Sequence, residues 1–266
     1  MELNNPVKSR IYIIMIVILS LTGMISLFIN VVLKKNNIIE SINLKEVIIK
    51  NEELNECLNN KKIPIKVLSY LDDSSINKIS IDIVNKLYKG EEKLIKKESI
   101  IDLIKRSINK YETLEDEDIY PNIWEDIEKV SDSIANDINN KENVNRYNII
   151  KDTAYIGFIP VAFTISFAIL LAISEKKKSL LITGAILIGV SLVFKYISKS
   201  LIETLYNNID ILNILKINLD KCSNNVSSII SGIILSIGLI LSLVYVFIEG
   251  RHAYRRLRTS YLDKYY

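Results

Sequence analysis

The chain has 266 residues, with 34 lysines and arginines against 31 aspartates and glutamates, for a formal net charge of +3. So small an excess excludes a strongly basic nucleic-acid binder, and no nucleic acid is expected as a partner. Apolar residues make up 49% and charged residues 24%, but the two are segregated into uncharged stretches and charge-rich ones, a pattern of membrane spans alternating with aqueous segments.

In chain order, residues 1–10 form a short N-terminus with Lys8 and Arg10, and residues 11–33 carry no charge. At about 1.5 Å per residue this run crosses a hydrocarbon core of about 30 Å. It is longer than the apolar region of a cleaved signal and ends Asn30-Val31-Val32-Leu33-Lys34-Lys35 without a small-residue cleavage site, so it reads as an uncleaved anchor. Residues 34–152 show apolar residues at spacings of three and four and no sustained alternation. Ile38, Ile42 and Ile49 suggest a helix continuing out of the first span. Asp72 to Ser75 supply N-cap candidates, Ile76, Ile79, Ile83 and Leu87 follow, and Gly90 is the expected stop. Ile101, Ile104, Ile108 and Tyr111 form another stripe. After Pro121, Ile123, Ile127, Val130, Ile134 and Ile138 predict a long helix running on toward the second span. Each stripe needs a partner, so a bundle of about four helices is expected.

The second span is expected at residues 153–174, a basic loop at 175–178 and the third span at 179–196. Residues 197–225 form a second aqueous segment with one or two amphipathic helices, set either on the membrane surface or against the larger domain. The fourth span is expected at 226–248, followed by a basic tail at 249–266. Lysine and arginine mark the cytoplasmic side of spans. The N-terminus, Lys176-Lys177-Lys178 and the tail with Arg251, Arg255, Arg256 and Arg258 fall on one side when the spans are even in number. The expected fold is therefore all-α: a polytopic cell-membrane protein with four transmembrane helices, cytoplasmic termini and a helical-bundle extracytoplasmic domain between spans one and two. The same basic residues are candidates for contact with anionic lipid.

Candidate sites are few. Glu115-Asp116-Glu117-Asp118 is the densest acidic stretch and a candidate for a cation or a basic partner, although it lacks the ligand spacing of a calcium loop. Cys57 and Cys222 both fall in the outer segments and are a candidate disulfide, worth about 4–5 kcal/mol in the chain-entropy model. His252 is the only histidine and lies among arginines. It reads as a solvated residue at the membrane edge, which leaves no outer base for a serine or cysteine triad. No metal site and no cofactor are expected, and no catalytic constellation is found. The spans hold almost no ionisable groups, which argues against an ion-coupled carrier. Small residues recur at four-residue spacing, with Ala185 and Gly189 on one helix and Ser228, Gly232 and Ser236 on another, and are expected to pack helices closely in lipid, within one chain or between two.

The helices around Ser75 to Gly90 and Lys97 to Glu112, and the glycines at 184, 189, 232 and 238, resemble uncharacterised four-span membrane proteins of low-GC Gram-positive bacteria. That resemblance implies no activity. The topology alone is similar to FtsX-type and MacB-type permeases, which carry an ATPase-coupling helix between spans two and three, where this chain has only Glu175 to Ser179. The functional expectation is a non-enzymatic envelope protein that binds, senses or scaffolds through its outer helical domain. Its partners would be the lipid bilayer and an envelope protein or a second copy of itself. The alternative is a permease or accessory subunit of a transporter.

Overall fold

The computed structural model describes residues 5–115 and 123–265, with backbone alone at 5 and 257–265. Among the described residues there are α-helices, one 3-10 helix and no strand. In chain order they are α1 (Asn5–Val32), α2 (Lys35–Ser41), α3 (Leu44–Ile49), α4 (Glu52–Asn60), the 3-10 helix (Ile65–Tyr70), α5 (Asp73–Lys89), α6 (Lys97–Glu115), α7 (Trp124–Ile138), α8 (Lys141–Tyr155), α9 (Phe158–Glu175), α10 (Lys178–Asn208), α11 (Asp210–Ile214) and α12 (Asp220–Tyr265). The chain divides into two compact units. An apolar unit takes Met1–Val31, Thr153–Leu201 and Cys222–Tyr266. A helical unit takes Val32–Asp152 and Ile202–Lys221.

The helical unit is more finely divided than a four-helix bundle, because asparagines restart helices where an unbroken one was expected. Asn43 accepts a hydrogen bond from Glu46 N at 3.1 Å, and Asn51 accepts one from Leu54 N at 2.8 Å, so each side chain caps a new helix. The expected continuation of the first span is thus cut into α2, α3 and α4. Farther on, the sequence signals hold. Asp72 caps α5 by accepting from Ser75 N at 2.9 Å, with Ser75 Oγ and Ser74 Oγ also donating, and these bonds lower its carboxyl to about 2. Gly90 ends α5 at φ 72°, a left-handed conformation that costs glycine little. The helix expected through 123–138 and beyond breaks at Asn139. Asn139 Oδ1 accepts from Leu94 N at 2.7 Å and Ile95 N at 3.0 Å, while its Nδ2 donates to Ile95 O at 2.8 Å. That side chain serves the loop before α6 and separates α7 from α8.

The core of this unit is aliphatic. Ile83 and Leu87 of α5, Ile104 and Ile108 of α6, Ile127 and Ile138 of α7, and Leu54 and Leu58 of α4 are all fully buried. The second aqueous segment belongs here too: Asn43 N donates to Leu215 O at 3.3 Å and Asn218 N to Ser41 O at 3.0 Å. Of the two placements open from sequence, the structure takes packing against the larger domain. The fully buried Tyr147 of α8 donates to Leu33 O at 3.2 Å, and Tyr88 of α5 donates to the same carbonyl. Burial holds the Tyr147 phenol above its usual range, so it stays protonated.

In the apolar unit, four helices are long and apolar enough to cross a membrane. Helices α10 and α12 run past both hydropathy limits expected for the third and fourth spans. Hydropathy marks where apolar side chains stop, whereas the helix ends where backbone hydrogen bonds stop. Only 28%, 11%, 33% and 11% of the four apolar windows is buried within the chain, and Ile173 and Phe247 are 73% and 71% exposed. In water each such side chain forfeits about 1.5–3 kcal/mol of burial, and a hydrocarbon solvent removes that penalty.

Close crossings hold the apolar helices together within the chain, on a face beside the one that carries Ala185, Gly189, Ser228, Gly232 and Ser236. Ala185, Gly189, Ser228, Gly232 and Ser236 are all exposed, and a Cβ on Gly189 or Gly232 would meet nothing within 4 Å. The contact instead uses Gly184 and Gly238, where a Cβ on Gly184 would lie 2.7 Å from Gly238 O, and Ser191, which donates to Ser231 O at 2.7 Å. On α1, Gly23 faces Val161 of α9, and Ser26 abuts Gly157 while donating to Ala154 O at 3.3 Å. Phe28 and Phe194 meet edge to face at 5.7 Å. Four-residue spacing occurs on two neighbouring helix faces, and the spacing alone does not choose between them. Alanine at Gly184 or Gly238 is therefore expected to cost about 1–3 kcal/mol through overpacking and to lower the melting temperature of the detergent-solubilised chain. Alanine at Gly189 or Gly232 is expected to leave it unchanged, and the opposite pattern would place the contact on the outward face.

Candidate functional site

A cleft of about 370 Å³ opens in the helical unit where the end of α3, the first turn of α4, the second half of α7 and the end of α11 meet. Its apolar floor is Val47, Ile134 and Ile138, and its rim carries charges of both signs. The α3–α4 junction is fixed by the Asn51 cap and by Asn55 Nδ2, which donates to Ile49 O at 3.0 Å. Lys216 follows α11 with φ 48° and is held by its own N–H on Asn213 O at 3.1 Å and by Ile217 N on Leu212 O at 2.8 Å. Lys50 pairs with Glu46 at 2.6 Å. Hydrogen bonding and charge from Lys50, with a smaller contribution from Lys216, hold the Glu46 carboxyl below its usual range. Glu52 and Glu53 sit in the first turn of α4, where the helix dipole favours them, and Asp137 completes the acidic side of the rim.

Apolar floor and mixed-charge rim suit a peptide or a folded partner's loop, with complementary charges setting orientation. Among the described residues no group of three potential metal ligands converges. Ser131 of α7 is fully buried and its hydroxyl has no hydrogen-bond partner. It gave no sequence signal, since it occupies a core position of the α7 stripe.

The sequence-derived candidates separate. Glu115 ends α6 and accepts from Lys66 Nζ at 2.9 Å and from Tyr70 Oη at 2.8 Å, which lowers its carboxyl. It ties α6 to the 3-10 helix. Asp116, Glu117 and Asp118 lie outside the described residues. Cys57 of α4 and Cys222 of α12 are not joined in a disulfide, and they belong to different compact units. Cys57 lines a second cleft of about 330 Å³ beside the Lys61–Asp126 pair, closed at 3.1 Å. Burial and the Asp126 carboxylate push its thiol up, so it ionises poorly. Lys176, Lys177, Lys178, Arg251, Arg255 and Arg256 are exposed near the α9–α10 turn and along α12, and the Arg258 side chain lies outside the described residues.

Compared with known protein families, curated proteins and solved structures, the chain matches none. The class that stands on the structure itself is an all-helical protein with four helices long and apolar enough to cross a membrane.

The Cys57 environment has a direct readout. Alkylation of Cys57 in the folded chain at pH 8 is expected to be slower than in the denatured chain, and Asp126→Asn should accelerate it by removing the charge that opposes the thiolate. Equal rates in folded and denatured chains would contradict the geometry.

Proposed function

We propose that this is a multi-pass protein of the cell membrane acting as a non-enzymatic binding or scaffold protein of the envelope, through a helical unit held outside the membrane. Both termini are then cytoplasmic. What supports the topology is the agreement of three basic markers, namely Lys8 with Arg10, Lys176 to Lys178, and Arg251 to Arg258, across an even number of spans. Lys34 and Lys35 run against it, but they open a long segment, where the charge rule weakens.

The observation that carries the binding reading is the cleft between α3, α4, α7 and α11. It combines an apolar floor with a rim of Lys50, Lys216, Glu52, Glu53 and Asp137. It belongs to a unit with its own aliphatic core, as a recognition surface on a rigid scaffold requires. The partner is an envelope protein or a second copy of the chain.

A photo-crosslinking residue placed at Asn213, on the rim, tests this in native membranes with partners identified by mass spectrometry. A discrete outer-surface partner is expected, lost when Glu52, Glu53 and Asp137 are changed together to lysine. Stoichiometric recovery of an ATPase insensitive to that change would replace the binding reading with that of a transporter subunit.

A further inference from the structure

The turn between α9 and α10 brings Lys177 against α12, and Lys177 Nζ lies 2.5 Å from His252 Nε2. In that contact the ammonium is the donor available to the ring nitrogen. A phosphate oxygen arriving there replaces the contact between the two nitrogens, accepting from the ammonium and from a ring N–H together. The local acids do not compete. Glu175, the only carboxylate in the turn, accepts from Ser9 Oγ of α1 at 2.5 Å, and Ser9 also meets Ser174 at 2.9 Å. Among the described residues no ion pair engages Lys176, Lys177, Lys178, Arg251 or Glu249, the last being one turn before His252. Before the pair in sequence, α9 exposes Ile173 and α12 exposes Phe247. These are apolar surfaces of the kind an acyl chain covers.

We propose that Lys177 and His252 form a binding site for the headgroup phosphate of an anionic phospholipid, with the exposed faces of α9 and α12 taking its chains. The inference rests on reading these helices as membrane spans. It goes beyond diffuse attraction of a basic tail to lipid: it assigns one site to two residues, one of them a histidine that sequence alone leaves as a solvated bystander.

The test is native mass spectrometry of the full chain in mild detergent with added phosphatidylglycerol or phosphatidylcholine. The wild type is expected to retain one phosphatidylglycerol in preference to phosphatidylcholine. Lys177→Gln and His252→Gln should each lower its occupancy about tenfold, the loss of one charge-assisted hydrogen bond. His252→Arg, which restores a charged donor, should retain it, and melting temperatures near the wild-type value would show that the variants fold. If Lys176→Gln lowers occupancy as much as Lys177→Gln, the attraction is a delocalised patch and the site is wrong. Equal retention of the two lipids also overturns it. Displacement of phosphatidylglycerol by millimolar inorganic phosphate would assign the pair to free phosphate and overturn the lipid assignment. Failure to retain any phospholipid would count against the membrane reading itself, which separates the two failures.

Discussion

Isoleucine, leucine, valine and phenylalanine side chains along α1, α9, α10 and α12 have no protein partner over most of their surface, and water would penalise each of them. The structure depends on a solvent that accepts them. In hydrocarbon every backbone polar group must also find its partner within the chain, a condition that unbroken helices meet. Association between such helices cannot draw on the hydrophobic effect, since lipid tails are as apolar as leucine. It relies on close backbone approach and on short polar contacts. Gly184 against Gly238, Gly23 against Val161 and the Ser191 hydroxyl on Ser231 O meet that need.

The helical unit is built under the opposite condition. With water available, it buries an aliphatic core and leaves its charges in surface pairs such as Lys97–Glu128 at 2.8 Å and Lys66–Glu115 at 2.9 Å. Exposed pairs of this kind contribute little to stability, so the core and the helix caps hold the unit together. Caps also set where its surface can open. Asn51 begins α4 at the edge of the larger cleft, and Asn139 separates α7 from α8 while binding the loop before α6.

Much of this was legible in the sequence. Uncharged runs located the four apolar helices, and Asp72 with Gly90 bracketed α5, because a capping carboxylate and a left-handed glycine are local signals. The same chemistry was missed at Asn43 and Asn51, where the apolar spacing of Ile38, Ile42 and Ile49 fits one long helix as well as three short ones. Ala185, Gly189, Ser228, Gly232 and Ser236 mark a smooth face left exposed while the crossings within the chain use Gly184 and Gly238, since small residues four apart do not say which neighbour a face meets. The cleft was not legible at all. Its residues come from four elements distant in sequence, and none is unusual alone. The Lys177–His252 contact is likewise a product of tertiary folding between residues 75 apart.

The proposed topology is the claim on which the functional reading stands, and cysteine accessibility tests it most directly. In a chain carrying Cys57→Ser and Cys222→Ser, single cysteines at Asp132 and at Lys178, both exposed positions, would be treated with a membrane-impermeant maleimide in intact cells. Labelling is expected at position 132 in intact cells and at position 178 only after permeabilisation. Labelling at 178 in intact cells, with 132 protected until the membrane is opened, would contradict it.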